Sequence, residues 1–177
     1  MKIYVDAGHR NNASDFGANW GNRKESEDCV GFAQLLACNL KALGVEVKLS
    51  RDSEKTCKSL TARTKEANNW GADLYLSIHR NASASHKGYG VETLIFSLDP
   101  KNKKVADELQ NVMFTVGNFA NRGIKTRPDL HVLKATKMIA VLLEIGFIDN
   151  TGDNEKFDKN KLKLASELAQ VLHELLQ

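Results

Sequence analysis

Two histidines directly follow short apolar segments, in positions from which they could act together. The segment KIYVD (2–6) leads through Ala-Gly to His9, and the alternating segment LYLSI (74–78) stops at His79. If both segments are parallel strands, their carboxyl ends share one edge of a sheet and both imidazoles project from it. Imidazole nitrogens are common zinc ligands. The pattern therefore indicates a candidate metal site at this edge.

Two glutamates could complete such a site. Glu25 opens a predicted helix that must start near the end of the first strand, so its carboxylate can reach the same place. Two histidines and a carboxylate, with room for water, form a known zinc set. Glu144 follows the six apolar residues 138–143 in a strand typical of burial on both faces, where an ionised carboxylate is costly unless it is paired, solvated or used. We interpret Glu144 as a general base, with a structural pair to Arg63 as the alternative.

Each of these residues also has a simpler interpretation. His9 could be a loop histidine, Glu25 a solvated acid favoured by the helix dipole, and His79 a cap at a strand end. Taken singly, the simpler interpretation is the stronger one for each. The joint placement at one sheet edge favours the metal site.

The elements that would position these residues alternate between strand and helix, which predicts an α/β architecture around a largely parallel sheet. The predicted strands are 2–6, 45–50, 72–78, 90–97, 130–135 and 138–144, and the predicted helices are 25–43, 60–71, 101–117 and 158–176. Polar stretches at 9–24 and 79–89 follow strand ends, where open α/β sheets build their sites.

Composition limits the remaining possibilities. The chain has 177 residues, 42% of them hydrophobic, and lacks a Pro/Ser-rich linker, so we expect one domain. The 25 basic and 22 acidic side chains are not clustered as in a nucleic-acid groove. The chain opens directly into a strand and has no membrane-length apolar run, so we expect neither a signal segment within it nor a membrane or nucleic-acid partner.

Three cysteines, Cys29, Cys38 and Cys57, form no CxxC pair. Their odd number and spacing predict reduced thiols, not a disulfide framework or a thiolate metal site.

Over nearly its whole length the chain resembles the zinc-dependent N-acetylmuramoyl-L-alanine amidases of the amidase-3 family. Five ordered blocks carry the resemblance: IYVDAGH (3–9), LTARTKEANN (60–69), GADLYLSIHRNAS (71–83), RGIKTRPDLHVLKAT (122–136) and VLLEIGFIDN (141–150). It implies a catalytic domain over residues 1–177. The implied fold is phosphorylase/hydrolase-like, with a twisted, mostly parallel, mixed sheet of about six strands flanked by helices.

The resemblance also implies roles for the four residues above. One Zn²⁺ would be held by His9, Glu25 and His79, and Glu144 would be the catalytic acid and base. Glu27 is the alternative to Glu25, but the family's helix length, counted back from Gly44, selects Glu25.

Other polar residues have weaker assignments. Arg10 and Arg80 could line the groove and bind a carboxylate of the substrate, with solvated surface arginines as the alternative. Asn81 would hold its loop through bonds to the backbone, or else contact substrate. Arg63 is expected to support the site and not to perform chemistry.

Aromatic residues and the remaining histidines add little. Trp20 could stack on a sugar ring, whereas Trp70, beside a helix end, is expected to pack. No role is assigned to His86, His131 or His173.

The implied substrate is peptidoglycan, cut at the amide between N-acetylmuramic acid and L-alanine by a metal-activated water with Glu144 as general base. The alternatives are a non-catalytic wall-binding module of the same fold and a zinc peptidase that cuts within the stem peptide. We expect a monomer that acts on the bacterial cell wall. It would be either a phage endolysin made in the host cytoplasm or an excised domain of a secreted autolysin.

Overall fold

A six-stranded mixed sheet forms the centre of the protein. The computed structural model describes residues 1–10, 15–53 and 58–176. The strands of this sheet are β1 (Lys2–Ala7), β4 (Glu46–Leu49), β5 (Leu74–Asn81), β6 (Val91–Ile95), β7 (Asn121–Thr126) and β8 (Ile139–Phe147). Two further short strands, β2 (Asn19–Trp20) and β3 (Arg23–Lys24), pair as a small antiparallel hairpin. The helices are α1 (Glu25–Ala42), α2 (Leu60–Trp70), α3 (Pro100–Thr115), α4 (His131–Lys134) and α5 (Thr151–Leu175).

The strand order across the sheet is β4-β1-β5-β8-β6-β7. The first four strands of this order are parallel to one another. β6 runs antiparallel to β8, and β7 runs parallel to β6. The expected single α/β domain with a mostly parallel mixed sheet is therefore confirmed.

Apolar side chains fill both faces of the sheet. On one face, α1, α3 and α5 pack through residues such as Phe32, Leu109 and Leu168 onto the inward residues of the strands. On the other face, α2 and α4 cover a smaller cluster that includes Tyr4 and Tyr75, whose rings stack with centroids 5.3 Å apart. The larger core fixes the strands. The smaller cluster covers only part of the other face of the sheet, so the rest of that face is open for a site.

Several predicted boundaries agree with the structure because the local signals are strong. Helix α1 ends just before Gly44, whose φ of 80° places it in the left-handed region that favours glycine. Helix α2 begins after Ser59, whose hydroxyl accepts a hydrogen bond from the amide of Ala62, and ends at Gly71.

The predicted strand at 130–135 is wrong, because these residues form the short helix α4. The amides of Lys134 and Ala135 donate to the carbonyls of Leu130 and His131, which is the hydrogen-bond pattern of a helix, and Val132 and Leu133 pack into the smaller core. The sixth strand is β7, which precedes α4. It is an edge strand with a polar sequence, NRGIKT, and so lacks apolar alternation.

Helix α5 begins at Thr151, earlier than the predicted 158, because the side chain of Asn150 caps it by accepting a hydrogen bond from the amide of Asp153. None of the helices in the described part of the chain combines the length and apolar character needed to cross a membrane. Cys29 is buried and Cys38 exposed, both as free thiols, while Cys57 lies outside the described residues.

Candidate metal centre

His9 and His79 meet at the carboxyl edge of the sheet, as the parallel pairing of their strands predicts. Ala7 of β1 lies beside Ile78 of β5, and the amide of Gly8 donates to the carbonyl of Ile78 at 3.0 Å. The two imidazole rings pack edge to face with centroids 4.9 Å apart. His79 lies within β5 and not beyond its end as predicted, so its backbone is fixed by the sheet.

Glu25 completes the group from the first residue of α1. One carboxylate oxygen, Oε1, lies 3.1 Å from Nε2 of His9 and 2.9 Å from Nδ1 of His79. One ligand atom from each residue lies within 4.8 Å of the others, so the three side chains form a group that could hold a metal ion. The alternative, Glu27, instead pairs with Lys24 at 2.8 Å.

The carboxylate of Glu25 is held in place by backbone amides. Its Oε2 accepts from the amide of Ala18 at 2.8 Å, and its Oε1 accepts from the amide of Arg80 at 3.1 Å. The side chain is only 6% exposed. Backbone bonds thus orient a buried carboxylate towards the two imidazoles.

The contacts within the group favour a negative charge on Glu25 and a positive charge on His79. Burial alone would raise the pKa of Glu25, but hydrogen bonds and charge from His79 and His9 hold it well below its usual range. Burial opposes the protonation of His79, yet the adjacent Glu25 raises the pKa of His79 to about 9. The carboxylate of Glu25 thus favours a positive charge between the two imidazoles, which a bound cation would supply.

Glu144 stands next to His79 on the neighbouring strand β8, directly opposite it in register and on the same face. Its Oε2 is buried and has no hydrogen-bond partner among the described residues. Burial raises the pKa of Glu144 to about 7; nearby His79 opposes this, and the carboxylates of Glu25 and Glu92 add to it. A carboxyl group with a pKa near neutrality can take and return a proton.

Arg63 does not pair with Glu144. Its guanidinium donates to the buried carboxylate of Asp6 and to the backbone carbonyls of Ala7 and His9. A second buried arginine, Arg51, donates to the carbonyl of Gly8 at 2.8 Å. The two arginines therefore fix the backbone of the first histidine, which agrees with a supporting role for Arg63.

Asp15 orients the ring of His9. Its Oδ1 lies 2.6 Å from Nδ1 of His9, which leaves Nε2 directed at Glu25. Arg10 donates to the other oxygen of Asp15 at 3.1 Å and is one-third exposed. Although burial favours the neutral acid, these two partners hold the pKa of Asp15 below its usual value.

Two glycines leave the space that the group occupies. A Cβ on Gly8 would lie 2.5 Å from Cε1 of His79, and a Cβ on Gly17, whose φ is 71°, would lie 2.5 Å from Oε2 of Glu25. Backbone at both positions therefore packs directly against the candidate ligands.

We expect Gly8→Ala to weaken metal binding by displacing the ring of His79, and to lower the free energy of unfolding by about 1–3 kcal/mol through overpacking. Isothermal titration with zinc and thermal unfolding check both effects. The matched control is Gly31→Ala, within α1, where an added Cβ meets nothing within 4 Å. That change should stabilise the helix by about 0.5–1 kcal/mol and leave metal affinity unchanged. Equal zinc affinity in Gly8→Ala and the wild type would contradict the steric argument.

Arg80 differs from both interpretations of its sequence, which placed its charge in the groove or in solvent. The side chain is 1% exposed and pairs with Asp28 at 2.5 Å. It also donates to Asn154 and packs 4.2 Å from the ring centroid of Phe157. Because successive strand residues face opposite sides, this guanidinium lies on the face of the sheet opposite His79, where it ties β5 to α1 and α5.

Asn81 acts locally, since its side chain accepts from the amide of Ala82 at 2.8 Å and donates to Glu92 at 3.0 Å. The first of these bonds is the expected contact with the backbone. Its contact with substrate stays a prediction.

The remaining aromatic and histidine residues make separate local contacts. Trp70 packs against the smaller core, as expected. Trp20 is 43% exposed and lies 4.8 Å from the ring of His86, so stacking on a sugar stays a prediction. His86 pairs with Asp149, and His131 lies 3.3 Å from the hydroxyl of Thr64.

Three functional contacts were missed from the sequence: Asp15 on His9, Arg51 on the Gly8 backbone, and Glu92 beside Glu144. Arg51 and Glu92 reach their partners from residues distant in the chain. Asp15 is near His9 but lies in a polar loop with no periodic signal. None of these residues stands out by type or spacing.

Fold and site together define a single-domain α/β protein with a candidate metal centre at the edge of a mixed sheet. Residues 3–174 match the family model described as N-acetylmuramoyl-L-alanine amidase. The chain therefore belongs to the amidase-3 family, which confirms the family resemblance.

The chain is also similar to individual amidases and endolysins, in sequence and in structure. The chain is 40% identical over 159 residues to the N-acetylmuramoyl-L-alanine amidase CwlM of Bacillus licheniformis, covering 88% of this chain and 60% of that protein. It is 34% identical over 153 residues to an endolysin of Bacillus phage SPP1, covering 84% and 55% respectively. An amidase structure from Clostridium difficile 630 matches with a TM-score of 0.90 at 28% identity, covering 99% of this chain and 96% of that one. The chain thus spans 55–60% of the length of these two curated relatives.

Proposed function

We propose that residues 1–177 act as a zinc-dependent catalytic domain that hydrolyses the amide between N-acetylmuramic acid and L-alanine in peptidoglycan. The observation that carries this proposal is the buried Oε2 of Glu144, which has no hydrogen-bond partner in the described part of the chain and lies beside the group formed by His9, Glu25 and His79. Membership of the amidase-3 family supports the choice of substrate.

The donor set fits zinc. Catalytic zinc sites use three nitrogen or oxygen ligands from the protein and leave one position open, and two imidazoles with one carboxylate meet that requirement. A cavity of about 290 Å³ opens over the group and is lined by Glu144 as well. When bound, zinc would polarise the scissile carbonyl and lower the pKa of a water molecule to roughly 7.

Glu144 would handle the proton of the reaction. Its Oε2 accepts a proton from the attacking water as the new carbon–oxygen bond forms. The same carboxyl group then gives that proton to the nitrogen of L-alanine as the amide bond breaks. A group with a pKa of about 7 suits both transfers at neutral pH.

The groove beside Glu144 is lined by both apolar and polar residues. Leu94 and Leu142 form part of its lining, as do Arg127 and Leu130, which follow β7 in the chain. Asn81 and Ala82 line it as well. An extended substrate that crosses β8 would place its scissile amide between the metal group and Glu144.

The site of action would be the bacterial cell wall. The related proteins include an amidase of a Bacillus species and a phage endolysin, which supports either origin for this chain. We infer that the domain acts as a monomer, because a single chain brings the three candidate ligands and Glu144 together and so completes the proposed site.

One experiment tests the function. Protein loaded with one equivalent of zinc is incubated with purified peptidoglycan, with and without a chelator, and the new amino terminus is identified. We expect L-alanine as the new terminus, loss of release with chelator, and recovery on zinc addition. A different new terminus would identify a peptidase that cuts within the stem peptide, and binding without release would identify a wall-binding module.

A further inference from the structure

Strand β7 contains an extra residue opposite β6. Val91 lies opposite Asn121, yet Thr93 lies opposite Ile124, so three residues of β7 span two residues of β6. Gly123 adopts a φ of 79°, the left-handed conformation that glycine takes in one class of β-bulge. Residues three apart in a regular strand face opposite sides of a sheet. The bulge instead brings Arg122 and Lys125 onto the same face.

Both cations meet the carboxylate of Glu92. Nε of Arg122 lies 2.8 Å from Oε2 of Glu92, and Nζ of Lys125 contacts the same oxygen. The side chain of Glu92 is 10% exposed, and its Oε1 accepts from Asn81. Two cations face one carboxylate, so the cluster keeps an excess positive charge.

The cluster is rigid and open to solvent. The guanidinium of Arg122 lies 4.9 Å from the ring centroid of Phe147 and donates to the carbonyl of Tyr89 at 3.3 Å. The side chains of Arg122 and Lys125 are 35% and 45% exposed, and they line a cavity of about 400 Å³. Within the described chain, Nη2 of Arg122 makes no hydrogen bond. The contacts with Glu92, Tyr89 and Phe147 therefore hold the two cations in place, and their remaining N–H donors are available to an anion.

The distance from the catalytic glutamate suits a peptide. Glu92 lies directly opposite Glu144 across β6 and β8, and β7 is one strand further. Two strand spacings of about 4.8 Å place β7 roughly 10 Å from Glu144. An extended peptide advances about 3.3–3.6 Å per residue. The cations are therefore within reach of the second or third residue beyond the scissile amide.

We propose that Arg122 and Lys125 form a subsite for a free carboxylate on the second or third residue of the stem peptide. This inference rests on the proposed amidase function and adds the direction in which the substrate lies across the sheet. The peptide crosses β8 and β6 towards β7, and the sugar lies on the other side of the metal group. Charge-assisted hydrogen bonds to the carboxylate then favour acidic stems over amidated ones.

The test compares N-acetylmuramoyl tripeptides with free carboxylates against the same compounds in which each carboxylate is converted to a primary amide. The variant is Lys125→Gln, which leaves Arg122 and Asn81 to pair with Glu92. Lys103→Gln is the control, since this lysine on α3 pairs with Asp107 and is 50% exposed. All proteins are zinc-loaded, and kcat and KM are measured at low and high salt.

We expect the wild type to prefer the free acid by about tenfold in kcat/KM, chiefly through KM, with the preference reduced by salt. Lys125→Gln should lose most of this preference, because its kcat/KM falls more for the free acid than for the amidated compound. Lys103→Gln should keep the preference. Equal preference in the wild type for acid and amide would overturn the subsite, as would an equal loss for both in Lys125→Gln. Failure of the wild type to cleave any of these compounds or purified peptidoglycan would instead overturn the amidase function.

Discussion

Glu144→Gln should lower the rate of peptidoglycan hydrolysis by about 10²–10⁴-fold while leaving the fold and zinc content unchanged. Glutamine has nearly the same shape but cannot accept the proton of the attacking water. Glu144 lies directly opposite His79 on the neighbouring strand, so the substitution removes the proton acceptor without changing the backbone position of the side chain. Release of amino termini from purified walls by equal amounts of zinc-loaded wild type and variant measures the effect.

A second measurement separates the chemical role from a structural one. Burial raises the pKa of Glu144 from its usual 4.5 to about 7 in the metal-free protein, so the folded state binds the proton more tightly than the unfolded state. As pH rises from about 4.5 to 7, the metal-free wild type should therefore lose stability relative to Glu144→Gln, and the difference should stay constant above that range. Retained wall cleavage by the variant, or a variant that unfolds at all pH values, would contradict the proposed role.

The candidate site could be located from the sequence because its residues follow strong signals. In the sequence, His9 and His79 follow apolar segments that predict strands, and Glu25 opens a helix with a clear apolar stripe. Glu144 stands out because it is charged within an apolar strand. Parallel strands bring such residues to one edge, so their meeting follows from the order of elements.

The errors fall where local sequence carries little information. Strand β7 is at the edge of the sheet and polar, so it has no apolar pattern, and the short apolar run after it forms a helix. The residue type of Arg80 predicts a charge in the groove or in solvent, and neither agrees with its buried guanidinium. Its partners Asp28 and Asn154 are 52 and 74 residues away in the chain, and only the packing of α1 and α5 on the sheet brings them together.

The bulge in β7 shows the same limit at the level of single side chains. A regular strand would direct Arg122 and Lys125 to opposite faces, and the sequence RGIK does not show that Gly123 resets the alternation. The pattern of residue types therefore predicts which elements carry the candidate site residues. The residues that surround the group depend on register, which long-range pairing determines.

His79→Ala should abolish zinc binding, and with it the hydrolysis of peptidoglycan. The change removes one of three candidate ligands and leaves Glu25 with a single imidazole partner, so the remaining donors no longer form a three-ligand set. Metal analysis after dialysis should give one zinc per wild-type chain and none per variant chain. His131→Gln is the matched control, because this histidine faces Thr64 and should leave the zinc content unchanged.

Thermal unfolding gives a readout that does not depend on activity. Zinc at 100 times its dissociation constant stabilises the folded protein by about 2.7 kcal/mol. For a domain of this size, that should raise Tm by roughly 5–10 °C in the wild type and in His131→Gln. His79→Ala should show no rise, although its metal-free form also loses the hydrogen bond to Glu25 and starts from a lower Tm. An unchanged zinc content, or an equal rise in Tm on adding zinc, would show that His79 is not a ligand. In that case the two remaining residues, His9 and Glu25, would need a different third donor.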